Sequence, residues 1–282
     1  MMDNKILITK VSGETALFDE QKLRQSLTRS GAGEEEIAAI LQKVKSKLYQ
    51  GINTREIYKI AFSLLSKKMH PAASRYKLKK AIFELGPTGF PFEKYMGELF
   101  RLQGFKITVG SIMQGHCVKH EVDIIAEKDG EYRMLECKFH HEQGQFCSVK
   151  NPLYIHSRFK DIEMVLKQQP AFKETILSGG LLTNTRFSAD ALQFGTCMNM
   201  FMLGWDYPNG NGLKHKIDQF RLYPITAMMT LTNYEKKALL EKGVIVCQNL
   251  RENEAVLHEL HFSEARIAKV INEVAILCGR FI

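Results

Sequence analysis

The chain contains no C-x-x-C pair: its six cysteines, at 117, 137, 147, 197, 247 and 278, are widely and irregularly spaced. That spacing excludes a zinc ribbon and a secreted disulfide framework, and buried reduced thiols are the expectation. No apolar run approaches the roughly 20 residues of a membrane-spanning helix, so no membrane partner is expected. The first residues lack the apolar stretch of a signal peptide, which points to a cytoplasmic protein. No Gly-rich loop ending in Gly-Lys-Ser/Thr occurs, so ATP hydrolysis is not expected. Internal repeats and low-complexity segments are missing too. Histidine pairs occur at 116 and 120, 140 and 141, and 258 and 261. Gly115 and the strand-like residues that follow make the first pair a loop feature rather than a zinc-binding helix face. What remains is a 282-residue chain, 45% apolar and 25% charged, long enough for two globular domains. Its net charge of +8 favours an acidic partner, of which nucleic acid is the commonest.

The first third reads as a short β-hairpin followed by helices. Residues 3 to 18 hold two apolar runs around Ser12-Gly13. Asp19 caps a helix that buries Leu23 and Leu27, and Ile37, Ile40, Leu41, Val44 and Leu48 recur at helical spacing in the next. Thr54 to Met69 forms a third helix and Ala72 to Leu85 a fourth, which carries Arg75, Lys77, Lys79 and Lys80. A lysine beside a glycine turn offers an ammonium and free backbone N–H groups to a triphosphate, and Lys10, Gly13 and Lys22 are the first choices for that role. Lys10-Val11-Ser12-Gly13, Phe18 opening into a helix with Lys22 and Leu23, and Ala72-Ala73-Ser74-Arg75-Tyr76 together resemble the ATP-cone domain over residues 5 to 86. That family is an allosteric nucleotide-binding module. The resemblance implies ATP or dATP as an effector held at Lys10, Val11, Ser12, Gly13 and Lys22. Val11 and Ser12 depart from the family's usual Lys-Arg-Asp/Asn-Gly turn.

Gly86-Pro87-Thr88-Gly89-Phe90-Pro91 breaks the helical pattern and marks a domain boundary. A helix is predicted from about Phe92 to Gln103, ended by Gly104, with Glu93 at the edge of its apolar stripe. Phe105 to Val109 reads as a first strand. Asp129-Gly130 between two β-rich runs is a strong hairpin signal. A two-residue turn there pairs Lys128 with Glu131 and sets Asp123 opposite Glu136. Glu121, Asp123, Glu136 and Lys138 then share one face, and Val122, Ile124, Leu135, Cys137 and Phe139 the core face. Facing carboxylates about 5 Å apart repel unless a cation lies between them, and oxygen ligands at that spacing suit Mg²⁺. With the Lys138 ammonium alongside, the arrangement is a phosphodiester-cleaving design. A helix over Leu153 to Lys167 buries Ile155, Phe159, Ile162, Val165 and Leu166 and turns Arg158, Lys160 and Lys167 outward. Strands at Ile176 to Thr183 and Met200 to Trp205, joined by a helix capped at Ser188, imply a parallel crossover and a mixed sheet with helices on both faces.

The helix with Glu93, the Gly104-Phe105 strand entry, Val122-Asp123-Ile124-Ile125 and Glu136-Cys137-Lys138 resemble the PD-(D/E)xK restriction-endonuclease-like nucleases, the Mrr-type branch most closely. Val122 stands where the family name has proline. The resemblance implies that Asp123, Glu136 and the Cys137 carbonyl hold Mg²⁺ or Mn²⁺, that Lys138 activates water, that Glu93 supports the site, and that DNA is cut by a homo-oligomer. The expected fold class is α/β: a mostly α ATP-cone domain at 1–86, a restriction-endonuclease-like mixed sheet flanked by helices at 90–207, and a small helical extension at 208–282. In that extension Thr232 and Glu235 form a capping box, and Ser263 to Gly279 reads as a strong helix. The expected activity is a nucleotide-regulated endodeoxyribonuclease. Its alternatives are a nucleotide-responsive DNA-binding regulator that does not cut and an RNA-processing nuclease.

Overall fold

The computed structural model describes residues 6–68 and 70–279. Residues 3–5 of the expected hairpin and Met69 at the end of the expected third helix lie outside them. The chain forms two compact units. One holds the residues up to Ile82 together with Ile225–Leu239 and those from Cys247 on; the other holds Phe83–Pro224 and Leu240–Val246. The class is α/β, with helices and a mixed sheet.

In the first unit, β1 (Leu7–Thr9) and β2 (Thr15–Leu17) pair antiparallel. The Gly13 N–H donates to the Lys10 carbonyl at 2.9 Å, and Gly13 itself takes a left-handed φ of +85° that favours glycine. Helix α1 (Glu20–Arg29) starts where Asp19 accepts the Lys22 N–H, and α2 (Glu34–Lys45) follows. Strand β3 (Ile52–Asn53) adds parallel to β1. Two residues are too few to give a period-two signal, which is why the sequence does not announce it. Helices α3 (Thr54–Lys68), α4 (His70–Tyr76) and α5 (Leu78–Phe83) complete this stretch. The single helix expected over Ala72 to Leu85 is divided at Lys77, whose buried ammonium donates to the Thr226 carbonyl at 3.1 Å. Leu27, Ile37, Val44, Ala61 and Ala73 are shut off from solvent. Each large aliphatic buried this way contributes about 1.5–3 kcal/mol.

The second unit opens with α6 (Phe90–Arg101), which ends before Gly104 as expected. Strands β4 (Lys106–Gln114), β5 (Lys119–Lys128) and β6 (Glu131–Lys138) form an antiparallel meander. Then come β7 (Phe146–Cys147), α7 (Lys150–Leu166), β8 (Ile176–Thr183), β9 (Arg186–Phe187), α8 (Ala189–Cys197), β10 (Phe201–Leu203) and α9 (Leu213–Phe220). Strands β8 and β10 join the sheet parallel to β6, giving the order β10-β8-β6-β5-β4, the mixed sheet the sequence predicts. The pair β7–β9 forms a second, small parallel sheet. Gly179 on β8 lets α7 come close: a Cβ there would lie 2.8 Å from the Phe159 ring.

The last elements are α10 (Asn233–Glu241), α11 (Asn249–Glu252), α12 (Ala255–Glu259) and α13 (Glu264–Cys278). The stretch expected as one extension, 208–282, is divided between the units: α9 stays with the sheet, while most of α10 and the helices α11 to α13 go with the N-terminal module, where α13 packs against α4. Glu273 of α13 anchors it there. Buried at 5% exposure, its carboxylate accepts from Ser74 Oγ at 3.0 Å, the Met229 and Thr230 N–H groups at 2.7 and 2.8 Å, and Thr230 Oγ1 at 2.6 Å. A carboxylate with that many donors is fully satisfied. The capping box forms too, with Glu235 accepting the Thr232 N–H at 2.6 Å and Thr232 Oγ1 accepting the Glu235 N–H at 3.2 Å.

Candidate active site

The β5–β6 turn fixes the site. Asp129 and Gly130 have φ of 48° and 79°, the two positive values a two-residue hairpin turn requires. Pairing runs from Lys128↔Glu131 to Ile124↔Leu135, the register read from the sequence. At the next position the ladder gives way. Asp123 turns its side chain to the neighbouring strand, where Oδ2 accepts the Cys137 N–H at 2.7 Å. Asp123 lies between the pairs Val109↔Ile124 and Ser111↔Val122, hence opposite Gly110, whose φ is +68°. This left-handed glycine interrupts the pleat. Val122 therefore packs with Ile125, Met134 and Phe159 beneath α7. The expectation that Val122 and Ile124 share one core face is corrected: strict alternation fails at the Gly110–Asp123 step, and helices cover both faces of the sheet.

Glu136 is held by a residue from α7. Arg158 of α7, expected outward, is 15% exposed, and its Nη1 donates to Glu136 Oε2 at 2.8 Å. Its other guanidinium nitrogen donates to the Glu121 carbonyl. A signal for this existed: positions 155, 158, 159 and 162 follow the i, i+3, i+4, i+7 pattern, so Arg158 lies inside the apolar stripe rather than opposite it. Glu121, Glu136, Arg158 and Phe159 line a small cleft that opens to solvent.

The acids here are poorly satisfied. Burial, then the charge of Asp123, pushes Glu136 up to about 7 despite Arg158 and Lys138. Glu93, on the first turn of α6, is also pushed up to about 7, by burial and then by Asp123, Glu121 and Glu136. Burial raises Asp123 as well, although the Cys137 N–H and Arg158 oppose it. The Cys137 thiol is driven far above its ordinary range by burial and by these carboxylates, which makes it inert as a nucleophile. The fold thus gathers Glu93, Glu121, Asp123 and Glu136 from one helix and two strands. Lys138, at the end of β6, is exposed, and among the described residues it makes no ion pair; its carbonyl accepts from Thr183 Oγ1 at 2.8 Å.

Beyond Lys138 lie groups that no spacing in the sequence announces. His140 Nε2 is 3.4 Å from Cys147 Sγ, and its Nδ1 is 3.0 Å from Gln145 Oε1. The buried Asn184 side chain accepts the His140 N–H at 2.9 Å and donates to its carbonyl at 2.8 Å, pinning the strand exit. Burial holds the His140 ring below its ordinary pKa, so it is neutral at pH 7. Elsewhere in the unit, Asp161 of α7 accepts from His120 Nε2 at 2.7 Å, from the Cys117 N–H at 2.8 Å and from the Val118 N–H at 3.3 Å. It holds the loop before β5.

At the β1–β2 turn the expected nucleotide-binding side chains are exposed and paired locally. Lys10 Nζ is 3.1 Å from Glu14, Ser12 Oγ is 3.3 Å from the same carboxylate, and Lys22 Nζ is 3.6 Å from Asp19. Val11 is half-buried, and a side chain at Gly13 would meet nothing within 4 Å, so the turn stands open.

Among the described residues no three His, Cys, Asp or Glu side chains converge on one metal position. Mg²⁺ seldom uses such a cage: it is bound through one or two carboxylates, with waters and substrate phosphates completing the shell. Asp123 and Glu136, with the Cys137 carbonyl beside them, fit that donor set, and their mutual repulsion is what a cation relieves.

Residues 6–81 match the ATP-cone domain family, and residues 223–278 match the family described as AF1548-like, C-terminal. An uncharacterized protein of Archaeoglobus fulgidus is 31% identical over 185 residues, which span 65% of this chain and 100% of that protein. The crystal structure of AF1548, a protein of unknown function, is 29% identical with a TM-score of 0.55, covering 68% of this chain and 100% of that one. The chain therefore belongs to the AF1548-like family and carries an ATP-cone domain at its N-terminal side.

Proposed function

We propose that the chain is a metal-dependent endonuclease of the PD-(D/E)xK, Mrr-like kind, acting on DNA phosphodiesters and governed by ATP or dATP at the ATP-cone. One observation carries this: carboxylates from β5, β6 and α6 crowd together with incomplete compensation, and a lysine with no ion pair among the described residues follows Glu136 by two positions. Asp123, Glu136 and the Cys137 carbonyl would hold Mg²⁺ or Mn²⁺. When bound, such an ion supplies Lewis-acid polarisation of a phosphoryl oxygen. The chain's own groups do the rest. Lys138 orients the attacking water and offsets charge that develops on the phosphate. Arg158 fixes the Glu136 carboxylate, and Glu93 sets the charge of the pair from α6.

The nucleotide effector rests on the ATP-cone match and on the open turn. Among the described residues the Val11 and Ser12 N–H groups donate to no protein acceptor, so they are available to a phosphate beside Lys10 and Lys22. The chain crosses between the two units at four points, after Ile82, Pro224, Leu239 and Val246, so the ATP-cone unit and the sheet unit are covalently interleaved along the sequence.

A second arrangement is favoured by the Arg158–Glu136 ion pair, which neutralises one would-be ligand: a nucleotide-responsive DNA-binding regulator that does not cut. Incubation with labelled DNA and RNA, in Mg²⁺ and in Mn²⁺, separates the two. Metal-dependent cutting that Lys138→Ala abolishes is expected, with DNA preferred; tight binding without cleavage in either metal overturns the enzyme and leaves the regulator. Preferential cutting of RNA makes it an RNA-processing nuclease. For the effector, millimolar ATP or dATP raises the melting temperature, and the combined Lys10→Ala and Lys22→Ala change removes the shift.

A further inference from the structure

Two exposed aromatic rings, each with a guanidinium against it, are tied to the acidic centre, one through Arg158 and the other by way of Cys147 and His140. Tyr154 on α7 is 63% exposed, and Arg158 lies 5.3 Å from the centre of its ring while gripping Glu136 at 2.8 Å. One arginine thus joins the ring to the site. Phe146 on β7 is 49% exposed; Arg186, its register partner on β9, lies 6.0 Å from its centre. Their positions are linked. Cys147 and Ile155, each next in sequence to one of these aromatics, are packed in a single apolar cluster, so the two rings emerge from adjoining pieces of backbone. Cys147 is also tied through His140 to the exit of β6, where Lys138 stands exposed.

We infer that this rim is a stacking platform for single-stranded nucleic acid, on which successive bases lie against Tyr154 and Phe146 while Lys138 and Arg186 take the phosphates. The proposal rests on the phosphodiester-binding reading of the same centre and names its substrate form. Duplex bases present no free face to a protruding ring, whereas every unpaired base does, whatever its identity. The rings therefore select unpaired strands and tolerate any sequence. The cations on the rim match the charge of the backbone, and Asp123 and Glu136 are half-buried while the two rings and Lys138 are exposed, so the strand is held by its bases and backbone before its phosphate reaches those acids. Arg158 couples the two events, since moving its guanidinium off Tyr154 also disturbs Glu136.

The test measures binding apart from cutting. A fluorescein-labelled dT 12-mer, a U 12-mer and a 12-base-pair duplex are titrated with the full chain in EDTA and followed by fluorescence anisotropy. At least tenfold tighter binding of the single strands is expected. Tyr154→Ala and Phe146→Ala should each weaken single-strand binding about five- to hundredfold, as loss of one stacked base does, and Tyr154→Trp should retain it. Circular dichroism checks that the exposed substitutions leave the fold intact. Equal or tighter binding of the duplex, or alanine variants that bind the single strands like the unaltered chain, overturns the proposal. Because EDTA stops any metal-dependent cleavage, loss of the platform is distinguishable from loss of the nuclease: the first appears in anisotropy, the second only in the cleavage assay.

Discussion

Two carboxylate centres within the sheet unit sit in opposite states. Asp161 is surrounded by donors, and the His120 ring with the Cys117 and Val118 N–H groups holds its carboxyl well below the usual range. Glu93 and Glu136 are surrounded by one another and by Asp123, and burial with like charge lifts both to about 7. The first is built to stabilise the fold. The second weakens it, because ionising groups whose neighbours oppose ionisation subtracts from stability at neutral pH. Perturbed acids of the second kind cluster at functional sites, and the contrast is what the proposed catalytic reading of Glu93, Asp123 and Glu136 rests on.

The sharpest way to break the contrast is to substitute one acid from each centre. Asp123→Asn keeps an oxygen for the Cys137 N–H and removes one charge from the crowded side. Metal-dependent cleavage should fall by about 10²–10³-fold, the usual scale for losing a group that stabilises the transition state, while the melting temperature in metal-free buffer stays level or rises. A drop in stability equal to that of Asp161→Asn would erase the distinction. Arg158→Gln comes next. It leaves Glu136 without its guanidinium, and cleavage should fall about tenfold, a loss of the size expected when a charge-assisted hydrogen bond is removed.

Adding Mg²⁺ tests the contrast from the other side. Mg²⁺ at ten times its Kd should stabilise the chain by about 1.4 kcal/mol, read as a rise in melting temperature, and Asp123→Asn should abolish the rise. Asp161→Asn should leave it intact. The smallest effect belongs to Asp161 itself, since asparagine keeps one acceptor oxygen. Its substitution should lower the melting temperature without changing cleavage. Because the folded pKa lies below the unfolded one, the unfolded chain binds more protons as the pH drops, so the Asp161 contribution is present above the ordinary carboxylate value of about 3.9 and is lost below it. The gap in melting temperature between the unaltered chain and Asp161→Asn should therefore close in acid, which thermal melts across that range would reveal.

Much of the frame was legible in the chain. The Asp129-Gly130 turn set the β5–β6 register correctly because positive φ at both positions leaves little choice of loop length. Asp19, Ser188 and the Thr232–Glu235 box marked helix starts through hydrogen bonds to residues within three positions. Other features were hidden for definable reasons. Strand β3 was too short to show a period. The step at Gly110 and Asp123 escaped because alternation assumes an unbroken pleat, and a glycine alone does not say which way the backbone turns. Arg158 lies inward although it is charged, because its position in the apolar stripe of α7 turns it to the sheet and Glu136 receives its guanidinium there. His140, Cys147 and Asn184 are separated in sequence by a helix and a strand, so nothing local connects them.

By itself the sequence determined the helices, the central hairpin and its register, and the kinds of groups available for chemistry, since these depend on side-chain periodicity and on bonds between near neighbours. Only the tertiary structure decided which of those groups are charged against one another. It brought α6 and α7 to opposite sides of one hairpin, folded Arg158 inward onto Glu136, and docked the C-terminal helices on the ATP-cone through Glu273. Burial and distance between remote residues set those outcomes, and neither is a property of the chain until it is packed.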